Sequence, residues 1–429
     1  MNAPRFASRE AIRAWQQVAL ERLLREVATG NPFYRPLLEQ AGLAGPRVEL
    51  DQFFQRMPFT RKEMIVEDQH RHPPYGTNLT FPLSAYSRFT QTSATHGTPL
   101  RWLDTPESWQ WMLDNWKQVY QSAAVTPQDC LYFAFSFGPF LGFWTAFEAA
   151  CQLGCRSIPG GGLSSLARLE AMRDNRATIL LCTPSYALRL AEVAAAERID
   201  LAALAIRTIV VAGEPGGSVP AMREKIQGLW PRAGVFDQHG MTEVGPVSYQ
   251  CPEQPGTLMV MESSYLAEIV DPQEGRTVAP GEIGELVLTT LGRLGSPLIR
   301  YRTGDLVRED LELARRYGRH ELALRGGILG RTDDMILVRG MNVYPLAVEE
   351  LLLGMPEVAE YQVLLHSEGS MAELELHVEP ARADCDPQHL AEKIRARMRS
   401  AFNLRVAVSL CPLGSLPRFE MKARRWIRH

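Results

Sequence analysis

The chain has 429 residues, 45% of them apolar and 22% charged, with a formal net charge of −3. A length well beyond one small core predicts two or three domains at about 150 residues each, and the ordinary composition excludes dominant disorder. The near-neutral balance supplies no broad positive field for nucleic acid, and the short basic tail from Lys422 to His429 reads as a solvated end.

The first predicted element is an amphipathic helix over Ser8 to Ala28, with Ile12, Trp15, Ala19, Leu20, Leu23, Leu24 and Val27 near helical spacing and Asn31-Pro32 ending it. Met1 to Gln17 has charged residues among its apolar ones and no apolar region of the kind a secretory signal requires. Leu131 to Cys155 is apolar over a length that could span a bilayer. Gly138, Pro139, Gly142, Glu148 and Gln152 interrupt it, so it reads as a buried strand, a glycine loop and a core helix. Up to about Gly330, β-branched runs such as Thr178 to Cys182 and Arg207 to Ala212 alternate with helical stretches. That alternation predicts an α/β body of mostly parallel sheets flanked by helices. Beyond it, strands at Met335 to Val338, Val358 to Leu365 and Glu373 to Val378, with helices at Val348 to Leu353 and Pro387 to Phe402, predict a small α+β unit. The expected domains are residues 1–332 and 333–429. Seven scattered cysteines without a C-x-x-C pair argue for reduced thiols in a cytoplasmic protein, with neither a disulfide framework nor a zinc site.

Five segments carry candidate chemistry. Thr92 to Pro99 (TSATHGTP) is a small, hydroxyl-rich loop that could turn N–H groups toward phosphate oxygens, although an ordinary Ser/Thr turn reads the same way. Asp237 to Glu243 (DQHGMTE) follows the strand-like Ala233 to Phe236. There Thr242 could bond a phosphate and Glu243 ligate Mg²⁺, for which one protein carboxylate suffices; a capped helix start is the competing reading. In Arg300 to Asp305 (RYRTGD), an acid behind a glycine could accept from two ribose hydroxyls. Gly330 to Ile336 (GRTDDMI) and Arg339 to Pro345 (RGMNVYP) suit a hinge between domains. Leu416 to Ala423 (LPRFEMKA) holds a lysine in a Pro-led loop.

Taken in this order, the five segments resemble the adenylate-forming superfamily of acyl-CoA synthetases. Thr183-Pro184-Ser185-Tyr186, Ala212-Gly213-Glu214-Pro215 and Glu282 to Val287 (EIGELV) make the chain most similar to its phenylacetate-CoA ligase branch. The resemblance implies activation of a small aromatic acid by ATP and Mg²⁺ to acyl-AMP, followed by transfer to CoA. A carrier protein as acceptor, or a relative that binds without turnover, are the rival expectations. It implies a mobile C-terminal domain and a possible homodimer, and it gives no reason to expect a nucleic-acid or membrane partner.

By the same resemblance, Ser93, Thr95 and Gly97 would lie on the phosphates. Gly213, Glu214 and Pro215 would wall the adenine, with Asp237, His239, Gly240 and Met241 beside it. Thr242 would touch the α-phosphate and Glu243 hold Mg²⁺, while Asp305 and Arg331 would take the ribose. Lys422, with Thr242 and Glu243, would be catalytic, bridging carboxylate and α-phosphate. Asp333 would be the hinge and Gly340 would line the thiol path. Phe135, Phe140, Gly213, His239 and Gly240 would line the acid pocket. Ala94, His96 and Thr98 stand where the family carries Gly, a hydroxyl residue or Gly, and Lys.

Overall fold

The computed structural model describes residues 6–45, 47–92, 99–338, 341–368, 371–419 and 422–428. Four helices lead the chain: α1 (Arg9–Gly30), α2 (Arg35–Gln40), α3 (Leu50–Arg56) and α4 (Lys62–Arg71). The α1 face bearing Leu20, Leu23, Leu24 and Val27 buries against Tyr34, Phe53, Leu291 and Ile299, so this helical cap is fused to the body. Its start is set by Ser8, whose hydroxyl accepts from Ala11 N, and its end by the extended backbone of Asn31.

Strands β1 (Arg88–Gln91) and β2 (Arg101–Asp104) pair antiparallel around the hydroxyl-rich loop. The body then alternates α5 (Pro106–Ser122), β3 (Cys130–Phe133), α6 (Leu141–Gln152), β4 (Arg156–Pro159), α7 (Ser165–Asp174), β5 (Ile179–Cys182), α8 (Pro184–Ala196), β6 (Thr208–Val211), α9 (Pro220–Leu229) and β7 (Gly234–Met241). In space β4, β3, β5, β6 and β7 are parallel neighbours. Burial on both faces explains their unbroken apolar runs, such as Ile179 to Cys182.

From β7 onward the pairing turns antiparallel, a change that strand–helix alternation could not foretell. β8 (Gly245–Gln250) and β9 (Thr257–Val260) extend the same sheet, whereas β10 (Tyr265–Val270), β11 (Ile283–Thr290) and β12 (Tyr301–Arg308) begin another. After the short α10 (Leu313–Tyr317), β13 (Ala323–Arg325) returns to the edge of the eight-stranded sheet and β14 (Gly330–Arg331) pairs with β12. Asp305 lies within a strand, and Thr242 and Glu243 lie in the β7–β8 hairpin turn rather than at a helix start.

The last unit contains β15 (Ile336–Val338), β16 (Met341–Val343), α11 (Pro345–Leu353), β17 (Val358–Glu368), β18 (Met371–Pro380), α12 (Pro387–Phe402), β19 (Ala407–Leu410) and β20 (Trp426–Arg428). Its sheet runs β16-β15-β18-β17-β20, with β19 paired to β18. The basic tail, expected to be solvated, instead supplies β20, which lies parallel to β17 through Val363, Leu364 and Leu365. No described helix is long and apolar enough to cross a membrane; the apolar stretch after Leu131 divides into β3, a loop and α6 as its glycines require.

Candidate functional site

Sheet order decides which residues meet. Because β3, β5, β6 and β7 are parallel neighbours, their carboxyl ends bring Phe135, Thr183, Gly213 and His239 to one edge, where open α/β sheets bind ligands. Gly213 needs its φ of +95°, which a Cβ would penalise, and this leaves the loop open at that point.

Asp305 is held from two sides. Arg331 Nη1 donates to its Oδ1 at 3.0 Å, and His239 Nε2 lies 3.0 Å from its Oδ2. The remaining ring nitrogen, His239 Nδ1, is buried and has no protein partner. Arg331 also grips Asp333 with Nε and Nη2 at 2.8 and 3.1 Å, so one guanidinium joins the expected ribose carboxylate to the expected hinge. That pairing holds the Asp333 carboxyl below its ordinary range even though burial opposes the shift.

The hairpin turn carrying Thr242 and Glu243 rests on two residues that the sequence did not single out. Arg293 Nη1 donates to the carbonyls of both, at 3.0 and 2.7 Å. Its Nε and Nη2 form a fork with Asp104 at 2.7 Å each, and both side chains are completely buried. Gly240 closes the base of the hairpin, where an added Cβ would come within 2.7 Å of Gly245 O. The Glu243 side chain is 10% exposed, with Lys62 Nζ 3.4 Å from its Oε1.

Lys422 comes to this group from the other lobe. Its Cε lies 3.7 Å from where a Gly213 Cβ would stand, and its ammonium feels the charges of Glu214, Glu243, Arg331 and Asp305. Desolvation pulls its pKa below the ordinary lysine value, opposed by those carboxylates; Lys422 retains solvent contact, which limits the shift. Ala423 N donates to Glu214 Oε2 and Ser185 N to Glu214 Oε1, both at 2.8 Å. The Glu214 carboxylate thus ties the lysine loop to the α8 start. Two further contacts join the lobes: Lys225 Nζ to the carbonyls of Val358 and Ala359 at 3.1 and 3.0 Å, and Arg418 Nε to both oxygens of Glu192 at 3.0 and 3.1 Å.

Phe135 stacks on Phe143 with centroids 4.4 Å apart and planes 16° from parallel, and Phe140 meets Phe143 edge-on at 6.0 Å. Phe137 packs against Trp144 and Phe147. These rings form a partly open aromatic wall after β3. Asp237 is buried beneath the Gly216–Ser218 loop, accepting from Ser218 Oγ at 2.6 Å, with its pKa raised by that burial; it braces the floor of the site. Gly213 and Pro215 are exposed and Met241 is half-buried. Ser93, Thr95 and Gly97, with Ala94, His96 and Thr98, and also Gly340, lie outside the described residues.

Residues 91–292 match the model of the AMP-binding enzyme family and residues 340–429 that of the AMP-binding enzyme C-terminal domain. The chain is 33% identical to a phenylacetate-coenzyme A ligase of Thermus thermophilus, over 96% of this chain and 95% of that one. It is 30% identical to the Escherichia coli phenylacetate-coenzyme A ligase, over 98% and 95%. Among solved structures, a 2-hydroxyisobutyryl-CoA ligase in the postadenylation state with R3-HIB-AMP superposes with a TM-score of 0.89 at 28% identity, covering 98% of this chain and 89% of that one. The same ligase with 2-HIB-AMP and CoA in the thioesterification state gives 0.70 over the same shares. The arrangement of lobes described above is thus nearer the postadenylation one.

Proposed function

The chain belongs to the phenylacetate-coenzyme A ligase family of AMP-binding enzymes, and we propose that its own substrate is a small aryl carboxylic acid, activated at the site between Lys422, Glu243 and Asp305. It is an AMP-forming acid–CoA ligase, using ATP and CoA. The observation that carries the site assignment is the reach of Lys422 over Gly213 into the field of Glu243 and Asp305.

Adenylation brings a carboxylate against the α-phosphate. The carboxylate oxygen bonds to phosphorus and pyrophosphate leaves. Two anions must meet, so a preorganised cation in a partly desolvated cleft lowers the barrier; Lys422 supplies that charge in this reading. Thr242 lies in the same turn to bond the α-phosphate. Asp305 keeps lone pairs on both oxygens for ribose hydroxyls while Arg331 and His239 fix its orientation. A nearly buried carboxylate at Glu243, paired with a half-exposed lysine at 3.4 Å, is a fitting Mg²⁺ ligand; the metal would neutralise phosphate charge there. Thioester formation then requires the lysine loop to withdraw, and Asp333, held by Arg331 at the lobe junction, is the proposed pivot.

The stacked Phe135 and Phe143 beside the sheet's carboxyl edge favour a flat aryl acid over a branched aliphatic one. Acid-dependent exchange of pyrophosphate into ATP checks this, run over benzoic, phenylacetic, aminobenzoic and 2-hydroxyisobutyric acids. The highest kcat/KM should fall on an aryl acid, with AMP released on adding free CoA. A maximum at the aliphatic acid overturns the substrate class, and acceptance of the acyl group by a carrier protein but not by CoA overturns the acceptor.

A further inference from the structure

The hydroxyl-rich loop from Thr92 to Leu100 contains no lysine or arginine. An ATP-consuming site nevertheless has to balance the charge of a triphosphate, most of which sits on the two phosphates that depart as pyrophosphate. Lys422 approaches from the Gly213 side. A second cation, Lys62, approaches Glu243 from the helical cap, with Nζ 3.4 Å from Oε1, and it also lowers the pKa of Asp333.

The placement of Lys62 is built into the fold at two points. Two residues before it, fully buried Thr60 is stitched onto the strand that carries Asp305: its N–H donates to Arg300 O, its carbonyl accepts from Arg302 N, each at 3.0 Å, and its hydroxyl donates to Ile299 O at 2.7 Å. Further along α4, Gln69 exchanges a pair of hydrogen bonds with Arg101, Nε2 to O at 2.7 Å and N to Oε1 at 3.0 Å. Arg101 begins β2, the strand that leaves the hydroxyl-rich loop. The helix is therefore pinned both to the strand bearing the expected ribose carboxylate and to the strand following the expected phosphate loop. Its first residue projects at the carboxylate proposed for Mg²⁺. Lys62 remains 49% exposed, so its ammonium is accessible to a ligand in the cleft.

We propose that Lys62 is a catalytic residue of the adenylation step, binding the β- and γ-phosphates of ATP and stabilising the pyrophosphate as it leaves, in place of a lysine within the loop. The proposal rests on the nucleotide-site reading above. As the carboxylate-to-phosphorus bond forms and the bond from the α-phosphorus to its bridging oxygen breaks, negative charge accumulates on the departing pyrophosphate. An ammonium already held near Glu243 needs only a side-chain rotation to follow it. Because acyl-AMP retains neither of those phosphates, Lys62 has no part in the transfer to CoA.

The test is a comparison of ATP with AMP in the full-length enzyme. In Lys62→Ala, the calorimetric affinity for ATP without acid, and the KM for ATP in pyrophosphate exchange, should weaken by about tenfold or more, the size expected for losing one charge-assisted contact. Affinity for AMP, and the rate of CoA acylation from supplied acyl-AMP, should stay at wild-type values. Lys62→Arg should recover most of the ATP affinity. Equal weakening of ATP and AMP would mean that Lys62 only braces Glu243, and no change in either would mean that it does not reach the phosphates; both results overturn the proposal. A wild-type enzyme that exchanges pyrophosphate with no acid would count against the function proposed above, while the ratio of ATP to AMP affinities would still report on Lys62.

Discussion

The two halves of the site are held by different kinds of interaction. The turn of Thr242 and Glu243 hangs on Asp104 and Arg293, a completely buried fork 189 residues apart in sequence. The Lys422 loop is held by a backbone bond to Glu214 and an ion pair from Arg418 to Glu192, whose side chains remain 19% and 37% exposed. A buried pair is costly to break, because removing one partner strands the other charge. A half-exposed pair exchanges readily for water and contributes little. On the proposed reading, the nucleotide floor would be rigid where geometry must be kept between two reactions, and the lysine would be docked by contacts cheap enough to release it.

Breaking the rigid half should have the largest effect. Asp104→Ala leaves Arg293 buried without a counter-charge and should lower unfolding stability by about 3–5 kcal/mol, read by denaturant titration. The double variant Asp104→Leu/Arg293→Met should regain most of that stability while leaving the carbonyls of Thr242 and Glu243 unheld. Pyrophosphate exchange should then remain low in a well-folded protein. If exchange recovers together with stability, the fork is only a core element and the contrast between the halves fails.

Disabling the half proposed to move should spare the fold and divide the chemistry. Lys422→Ala should reduce acyl-AMP formation with a loss of about 2.7–4 kcal/mol of barrier lowering, the usual size for one oxyanion-stabilising donor. The same variant given acyl-AMP and CoA should make thioester at a near-normal rate. Loss of both half-reactions in equal measure would remove the lysine from its proposed role.

The parts of this design that were legible in sequence are those coded locally. The Pro387–Phe402 helix was read over the residues where it is found, and the DQHGMTE and RYRTGD segments stood out through their order along the chain and their family resemblance. Asp104 and Arg293 could not be found that way. Each is one charge with no partner nearby in the sequence, and only the fold brings them together. A lone charge in an apolar stretch, such as Arg293 between Gly292 and Leu294, was the available signal, and it points to burial without naming a partner. Lys62 at the first turn of a polar helix likewise reads as surface until Thr60 is seen on β12. Glu214 was noticed, but its bond to Ala423, which is 209 residues away, was not legible. The antiparallel pairing after β7 was not read because the helices that mark parallel crossovers stop there, and a hairpin leaves a weaker trace.

The Lys422 assignment sharpens further with pH. The active form carries the proton, and burial lowers the pKa, so a charge ordinarily kept to about pH 10.4 is lost earlier as pH rises. Since kcat/KM reports the free enzyme, its profile for adenylation should bend down on the alkaline side below the ordinary lysine value. In Lys422→Ala that limb should vanish from the residual rate. A limb unchanged in the variant would assign the titration to another group.

The smallest effect should come from loosening the dock itself. Glu192→Ala removes the exposed partner of Arg418 while leaving the buried Arg418–Glu379 contact in place. Its cost should stay below about 1 kcal/mol, as for other half-exposed pairs. Such a small loss would be invisible in stability yet visible in partition, because the pair joins the lobes in the postadenylation-like arrangement and would be lost if the C-terminal lobe rotates away. Acyl-AMP formation should slow by less than about fivefold at that energy, and CoA transfer from supplied acyl-AMP should be equal or faster. Slowing of both steps together would show that Glu192 supports α8 rather than the docking of the lysine. The difference between the two halves would then rest on the other described contacts between the lobes, among them those of Glu214 and Lys225.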